Sequence, residues 1–293
     1  MTEGVLIVDK PQDITSHDVV ARCRRLFGMR QIGHTGTLDP FATGVMTVLL
    51  GKATRLARFI DKDEKEYEAT VRFGVRTDTG DLTGEVITDS EGNIPSEEEV
   101  RAALGQFVGE RMQTPPMYSA KKIDGRKLYE YAREGVEIER TPVPVNIALL
   151  EHPGASSECD HRLRVVCSAG TYVRVLAEEI GSKLETGAHL ISLRRIRSGR
   201  FDLSDAVSLE QLEQSSNREE FIRPLHVAAE HLPSITLEDD RIPRTRQGLS
   251  TRIRSESFCD GEYVRMLDRT GVLIAIGVYR GSDTAVHPSV VLM

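Results

Sequence analysis

The sequence predicts an α+β protein that ends in a small, mostly β domain. Three observations predict it. Short buried or alternating runs, such as GVLIVD at Gly4–Asp9 and EYEATVRF at Glu66–Phe73, have the period of strands. Between them stand stretches with helical spacing, such as VVARCRRLFG and PSEEEVRAALGQFV. From Pro233 onwards the texture changes to paired β-rich runs around a tight turn. The chain has 293 residues and an apolar fraction of 39%, enough for one large core and a smaller one.

The elements follow in order. Gly4–Asp9 is a short buried strand and KPQDITSHD a turn. Ser16 is expected to cap the helix that carries VVARCRRLFG. Val45–Leu50 is a second buried strand, Gly51 breaks it, and ATRLARFI reads as a helix. Glu66–Phe73 alternates as a half-buried strand does, and RTDTGDLTGEV is a turn-rich loop into another strand. Pro95–Val108 has an acidic first turn and helical periodicity. TPPMYSAKKIDGRKLYEYAREG is polar, basic and proline-broken, and reads as an exposed insertion spanning 112–141. Arg162–Cys167 is a strand, Tyr172–Leu184 a helix after the turn SAG, and His189–Phe201 ends in a strand. Asn217–Leu232 reads as a helical linker, and EYVRMLDRTGVLIAIGVYRG as a hairpin around Asp268–Gly271. This gives a large domain over 1–230 and a small one over 231–293.

Composition narrows the function. The N-terminal apolar run is too short for a signal peptide, and no apolar run is long enough to span a bilayer, so a soluble cytoplasmic protein without a membrane partner is expected. The four cysteines form no C-x-x-C pair and the histidines have no zinc-ligand spacing, so no metal is expected. Phosphate-loop and dinucleotide glycine motifs are missing, which argues against those cofactors. The net charge is -7, which by itself disfavours nucleic acid. The acids cluster in Asp89–Glu99 and Asp202–Asp240, however, while Arg22, Arg24, Arg25 and Arg30, then Lys121, Lys122, Arg126 and Lys127, then Arg194, Arg195, Arg197 and Arg200 form separate basic patches. Any one patch is more often a solvated face than a binding surface.

GHTGTLDPFATGV, at Gly33–Val45, places one bare carboxylate, Asp39, between a glycine- and threonine-rich approach and a proline. Asp before Pro commonly opens a helix as its cap. The surrounding Gly33, Gly36 and Gly44 point instead to a tightly bent or closely approached backbone. These residues alone leave both readings open.

Four segments share one habit: each sets polar side chains beside a turn. They are KPQDITSH at Lys10–His17, GHTGTLDPFATGV, the pair KEYEA with RTDTGDLTG, and SAGTYVR at Ser168–Arg174. In this order they resemble the motif set of the TruB family of bacterial tRNA pseudouridine synthases, over nearly the whole chain. The resemblance implies the pseudouridine synthase fold: a mixed, largely antiparallel central sheet flanked by helices, with a small PUA-like RNA-binding domain at the C-terminus. It implies isomerisation of uridine 55 in the T-loop of tRNA, after the base is flipped out, with no cofactor. Asp39 would be the nucleophile, Arg174 its orienting partner, and Tyr67 the tyrosine against the target base. His34, Tyr172, Leu193 and Lys10, with Tyr67, would bind the uridine substrate. The insertion, through Lys121, Lys122, Arg126 and Lys127, would grip the RNA backbone. The stand-alone bacterial form needs no guide RNA and no obligate protein partner.

The chemistry fits one carboxylate. Breaking C1′–N1 leaves an electron-poor sugar carbon, which a carboxylate can bond or stabilise. The uracil anion is delocalised over its carbonyls, so a second acid for the leaving group is dispensable. One departure from the family stands in KPQDITS, where Asp13 replaces the usual glycine; aspartate tolerates a positive φ better than most residues. Two other classes compete. An RNA-binding tRNA folding chaperone that retains the motifs is the alternative; with Asp39 and Arg174 intact, a purely binding role has no support from lost catalytic residues, and the two roles can coexist. A glycoside hydrolase would want a second marked carboxylate and aromatic sugar platforms, and the chain has no tryptophan.

Overall fold

The computed structural model describes residues 2–60, 64–89, 93–253 and 258–292. Residues 90–92 of the acidic run Asp89–Glu99 lie outside the described residues. Strands β1 (Gly4–Lys10), β2 (Ile32–Thr35), β3 (Thr43–Leu50), β4 (Lys65–Phe73), β5 (Val75–Thr77), β6 (Val86–Asp89), β7 (Gly109–Gln113), β8 (Lys122–Ile123), β9 (Arg126–Lys127), β10 (Val143–Ala155), β11 (Asp160–Cys167) and β12 (Ala188–Ser198) carry the larger part. Helices α1 (Ser16–Leu26), α2 (Ala57–Ile60), α3 (Glu97–Leu104), α4 (Leu128–Arg133) and α5 (Val173–Lys183) accompany them.

The central sheet runs β1-β3-β12-β4-β11-β10-β7, with the short strand Val207–Ser208 beyond β1. Every step along it is antiparallel except β3 with β12 and Val207–Ser208 with β1. The fold is thus α+β with a mixed, largely antiparallel sheet. The parallel step is short, Arg194 on Thr43 and Arg195 on Gly44, and it divides the sheet into two halves. Gly44 has φ +105°, and a Cβ there would stand 2.2 Å from the Arg195 carbonyl oxygen, so only glycine lets the strands meet.

Two apolar clusters pack against the sheet. α1 buries Val19, Val20 and Cys23 on β1 and β3. α3 and α5 bury Val100, Leu104, Leu176 and Ile180 against Val71, Leu163 and Leu190 of β4, β11 and β12. The C-terminal strands form a second sheet, ordered Ser234–Thr236, Tyr263–Leu267, Leu273–Arg280, Ala285–Val291 and Thr251–Arg252, which fits a PUA-like domain. Its Leu273, Ile276 and Leu292 join Val5, Leu49 and Phe59 in one apolar cluster. Arg55 Nη1 donates to the Val291 carbonyl at 2.7 Å across the same seam. Among the described residues no helix is long and apolar enough to cross a membrane.

Several elements differ from expectation. Thr15, not Ser16, caps α1: its hydroxyl accepts from the Asp18 amide, and Asp18 accepts in return from the Thr15 amide. ATRLARFI forms a 3₁₀ turn at Gly51–Leu56 and only then α2, because it must bend toward the C-terminal sheet. The Asn217–Leu232 linker is not a helix. It has two 3₁₀ turns around Ile222–Arg223, which pairs antiparallel with β1; Pro224 stops any helix there. Asp13 has φ +64°, and its amide donates to the Pro40 carbonyl at 2.9 Å, so the turn that usually carries glycine forms with aspartate.

Candidate active site

Asp39 does not cap a helix. Its carbonyl accepts from the Ala42 amide in a single turn, and the chain then enters β3. The loop is pinned from below. Ser16 is 2% exposed; its hydroxyl donates to the Leu38 carbonyl at 3.0 Å and accepts from the Leu38 amide at 2.9 Å. Lys10 lies beneath the same loop, fully buried. Its ammonium donates to the carbonyls of Pro11, Ile14 and Pro40 at 2.9, 2.7 and 3.1 Å, the full complement of its protons. Burial lowers its pKa to about 8, with Asp39 and Asp13 pulling the other way. Lys10 therefore fastens two loop backbones together and faces no cavity.

Arg174 enters at the first turn of α5 and is 3% exposed. Its Nε and Nη2 meet the two Asp39 oxygens at 2.8 and 3.1 Å, a two-pronged pair. Nη1 donates to the Thr79 carbonyl at 2.6 Å and Nη2 to the Tyr118 carbonyl at 2.8 Å. One guanidinium thus joins the Asp39 loop, the RTDTGDLTG loop and the start of the insertion. Asp81 stands behind it, 4% exposed, with Oδ2 at 3.7 Å from Nε. Thr79 and Thr83 hydroxyls and the Thr83 amide donate to Asp81 Oδ1. Burial raises the Asp39 carboxyl above the ordinary carboxylate range; Arg174 and Lys10 oppose this, and Asp81 adds to it.

Asp39, Tyr67, Tyr172, Arg174 and Leu193 line one cavity of about 440 Å³. Tyr67 comes from β4 and Leu193 from β12, whose neighbouring positions share a face. Tyr172 is fixed by Gln113, whose Oε1 accepts from its amide at 2.8 Å and whose Nε2 donates to its carbonyl at 3.1 Å. Burial raises both phenols, with Arg195 opposing at Tyr67 and Ser119 at Tyr172. His34 lies on β2, paired with Val48, outside the cavity lining.

In the insertion, Arg126 is bound to Glu134 and lies 3.6 Å from Glu130, with its guanidinium 4.5 Å over the Tyr131 ring. Lys127 Nζ donates to the Tyr129 hydroxyl at 3.2 Å. Lys122 pairs with Lys127 in the small β8–β9 hairpin and is exposed. Lys121 gives its carbonyl to the Leu128 amide.

The sequence marks no role for Asp81, Lys65 or Ser119, and marks Arg195 only as part of a basic patch, although all but Asp81 line the cavity. Asp81 stands within the RTDTGDLTG loop and Arg195 within a basic run; their burial was the missing information. Among the described residues no cluster of histidine, cysteine and carboxylates could hold a metal ion.

The model of the TruB family pseudouridylate synthase N-terminal domain matches residues 24–173, and that of the tRNA pseudouridylate synthase B C-terminal domain matches 174–230. The tRNA pseudouridine synthase B of Heliobacterium modesticaldum is 39% identical over 277 residues, covering 94% of this chain and 90% of the relative. That of Opitutus terrae is 48% identical over 212 residues, covering 72% and 87%. A solved Cbf5–Nop10–Gar1 complex contains a chain similar to this one at a TM-score of 0.76 and 26% identity, with 100% of this chain and 85% of that one covered. With the cavity, the sheet and these likenesses in agreement, the chain belongs to the TruB family and is a tRNA pseudouridine synthase.

Proposed function

We propose that the enzyme isomerises uridine 55 in the T-loop of tRNA, with Asp39 as the nucleophile. The observation that supports this reading best is the two-pronged Asp39–Arg174 pair at the wall of the cavity. Arg174 holds one rotamer of the carboxylate, while the Asp39 side chain keeps 32% of its surface open. A carboxylate so held can reach a sugar carbon without reorganising. Tyr67, Tyr172 and Leu193 give the flat and apolar walls that a base needs when it leaves its stack. Ser16 and Lys10 support the loop from beneath. His34, outside the cavity, is read as a contact to RNA around the extruded nucleotide. Lys121, Lys122 and Lys127 are read as backbone contacts, and Arg126 chiefly as a strut of the insertion. The chain divides in this reading at about residue 230, before the strand Ser234–Thr236.

The test is to incubate the enzyme with an unmodified T-arm hairpin and map pseudouridine by position. Product at the uridine equivalent to position 55, and at no other, is expected. Product elsewhere in the loop, or none, overturns the assignment.

A further inference from the structure

Arg195 is 1% exposed, yet it lines the catalytic cavity. It sits on β12 directly opposite Tyr67 of β4, so the two side chains share a face. Its Nε donates to the Val45 carbonyl at 2.7 Å and its Nη2 to the Gly36 carbonyl at 2.9 Å. The Arg195 charge also pulls the Tyr67 phenol down against the burial that raises it. Nearby carboxylates are held by other arginines: Asp39 by Arg174, Asp9 by Arg194 and Glu66 by Arg197. Among the described residues none forms an ion pair with Arg195.

A buried cation without a paired anion is costly to keep. Such a group is useful where negative charge arises during the reaction, and this reaction creates it. Turning the base over moves the sugar from N1 to C5. The electron pair of the C1′–N1 bond leaves with N1, and the C5=C6 π pair makes the new bond to C1′. The C5 proton then departs, its bonding pair restores C5=C6, and N1 gains one proton. The product is an isomer, so the net event is one proton moved from C5 to N1. A phenol can carry both halves, giving its own proton to N1 and taking that of C5. Between the halves its oxygen is a phenolate, which needs a cation beside it.

We infer that Arg195 is a positioning residue for the isomerisation: it acts through Tyr67, holding the phenol oxygen at the base and stabilising the phenolate formed as that phenol relays the proton. This rests on the reading that Tyr67 lies against the uracil. The same guanidinium fixes the Gly36 turn just before Asp39. A Cβ at Gly36 would stand 3.2 Å from Arg195 Nη1 on a backbone at φ +68°, so the turn and the guanidinium are shaped to each other.

A double-mutant cycle separates the catalytic route from a merely structural one. Single-turnover rates at saturating T-arm hairpin are compared for wild type, Tyr67→Phe, Arg195→Met and the double variant. Tyr67→Phe and Arg195→Met are each expected to lose on the order of 100-fold. In the Tyr67→Phe background, Arg195→Met should cost less than about threefold more, because the oxygen it serves is gone. Multiplying losses overturn the inference and leave Arg195 as a clamp on the Gly36 turn. A Tyr67→Phe enzyme at wild-type rate overturns the underlying reading of Tyr67 instead. Should Arg195→Met fail to fold, Arg195→Lys replaces it, since lysine keeps the charge and loses the fork. The same non-additivity is then expected, and independent losses again overturn the inference.

Discussion

Arg174 in the cavity and Arg126 in the insertion are both bound to carboxylates, in opposite ways. Arg174 is 3% exposed and bonds Asp39, Thr79 and Tyr118, which belong to three different segments. Arg126 bonds Glu134 and Glu130 within its own short stretch, at the surface and over Tyr131. In the cavity every polar group has one permitted place, because burial makes any other arrangement expensive. In the insertion the pairs are wet, and water or a phosphate can replace a partner at little cost. The difference separates two tasks: the cavity keeps one geometry, whereas the insertion can exchange partners, as its proposed role as a grip on RNA requires.

Four changes test that contrast, from the largest expected effect down. Asp39→Asn keeps the shape and removes the nucleophilic charge; isomerisation is expected to fall by on the order of 10⁴-fold or more, with T-arm affinity largely retained. Near wild-type product formation would return Asp39 to a structural turn residue. Arg174→Lys keeps a charge but cannot bridge both Asp39 oxygens and two carbonyls; single-turnover rate should drop by about 100-fold, as for a misplaced reacting group. Normal turnover in this variant would mean that the pair does not aim the carboxylate.

The third test is pH. As the proposed nucleophile Asp39 must be ionised, and burial raises its pKa, so the acid limb of the single-turnover rate should lie above the usual carboxylate value of about 4. Lys10 holds its loop as the ammonium, and its pKa is lowered to about 8, so the rate should decline again as pH rises past that value. In linkage terms, a cation whose folded pKa is depressed costs stability in full below that value, here about 8, and the cost is relieved as pH rises from there toward the ordinary lysine value of 10.5. Lys10→Met should therefore remove the alkaline limb, and a limb that persists assigns it to another group. The smallest effect belongs to the insertion. Replacing Lys121, Lys122 and Lys127 by alanine should weaken T-arm binding. The slope of log affinity against log salt should fall by a little under one unit, roughly 0.7 to 0.9, for each phosphate no longer neutralised. Adding Arg126→Ala should change the slope little. An unchanged slope in the triple variant would place the grip elsewhere.

The legible part of the molecule was the part fixed by short-range chemistry. Asp39, Arg174, Tyr67 and Tyr172 stood in ordered segments with glycine turns, and they meet in one cavity. The hairpin at Asp268–Gly271 announced itself through its turn residues, and Asp268 accepts from the Thr270 and Val272 amides there. What stayed hidden depended on pairing and depth. Arg194 and Arg195 are adjacent and chemically alike, yet the register of β12 on β4 turns one toward Asp9 and buries the other beside Tyr67. Lys10 read as a polar turn residue, and only the packing of two loops over it makes it fully buried. Ser16 read as a cap, but its hydroxyl bonds Leu38, far along the chain. Local patterns carry no information about such distant partners.

The Tyr118 carbonyl and one Asp39 oxygen share a single donor nitrogen, Arg174 Nη2. Sharing makes the start of the insertion and the carboxylate thermodynamically linked. If an RNA stem is gripped there as proposed, the part of its binding free energy that depends on the present place of Tyr118 is coupled to the aimed form of Asp39, and that coupling is reciprocal. In that reading, recognition of the helix outside and readiness of the chemistry inside are coupled through one nitrogen.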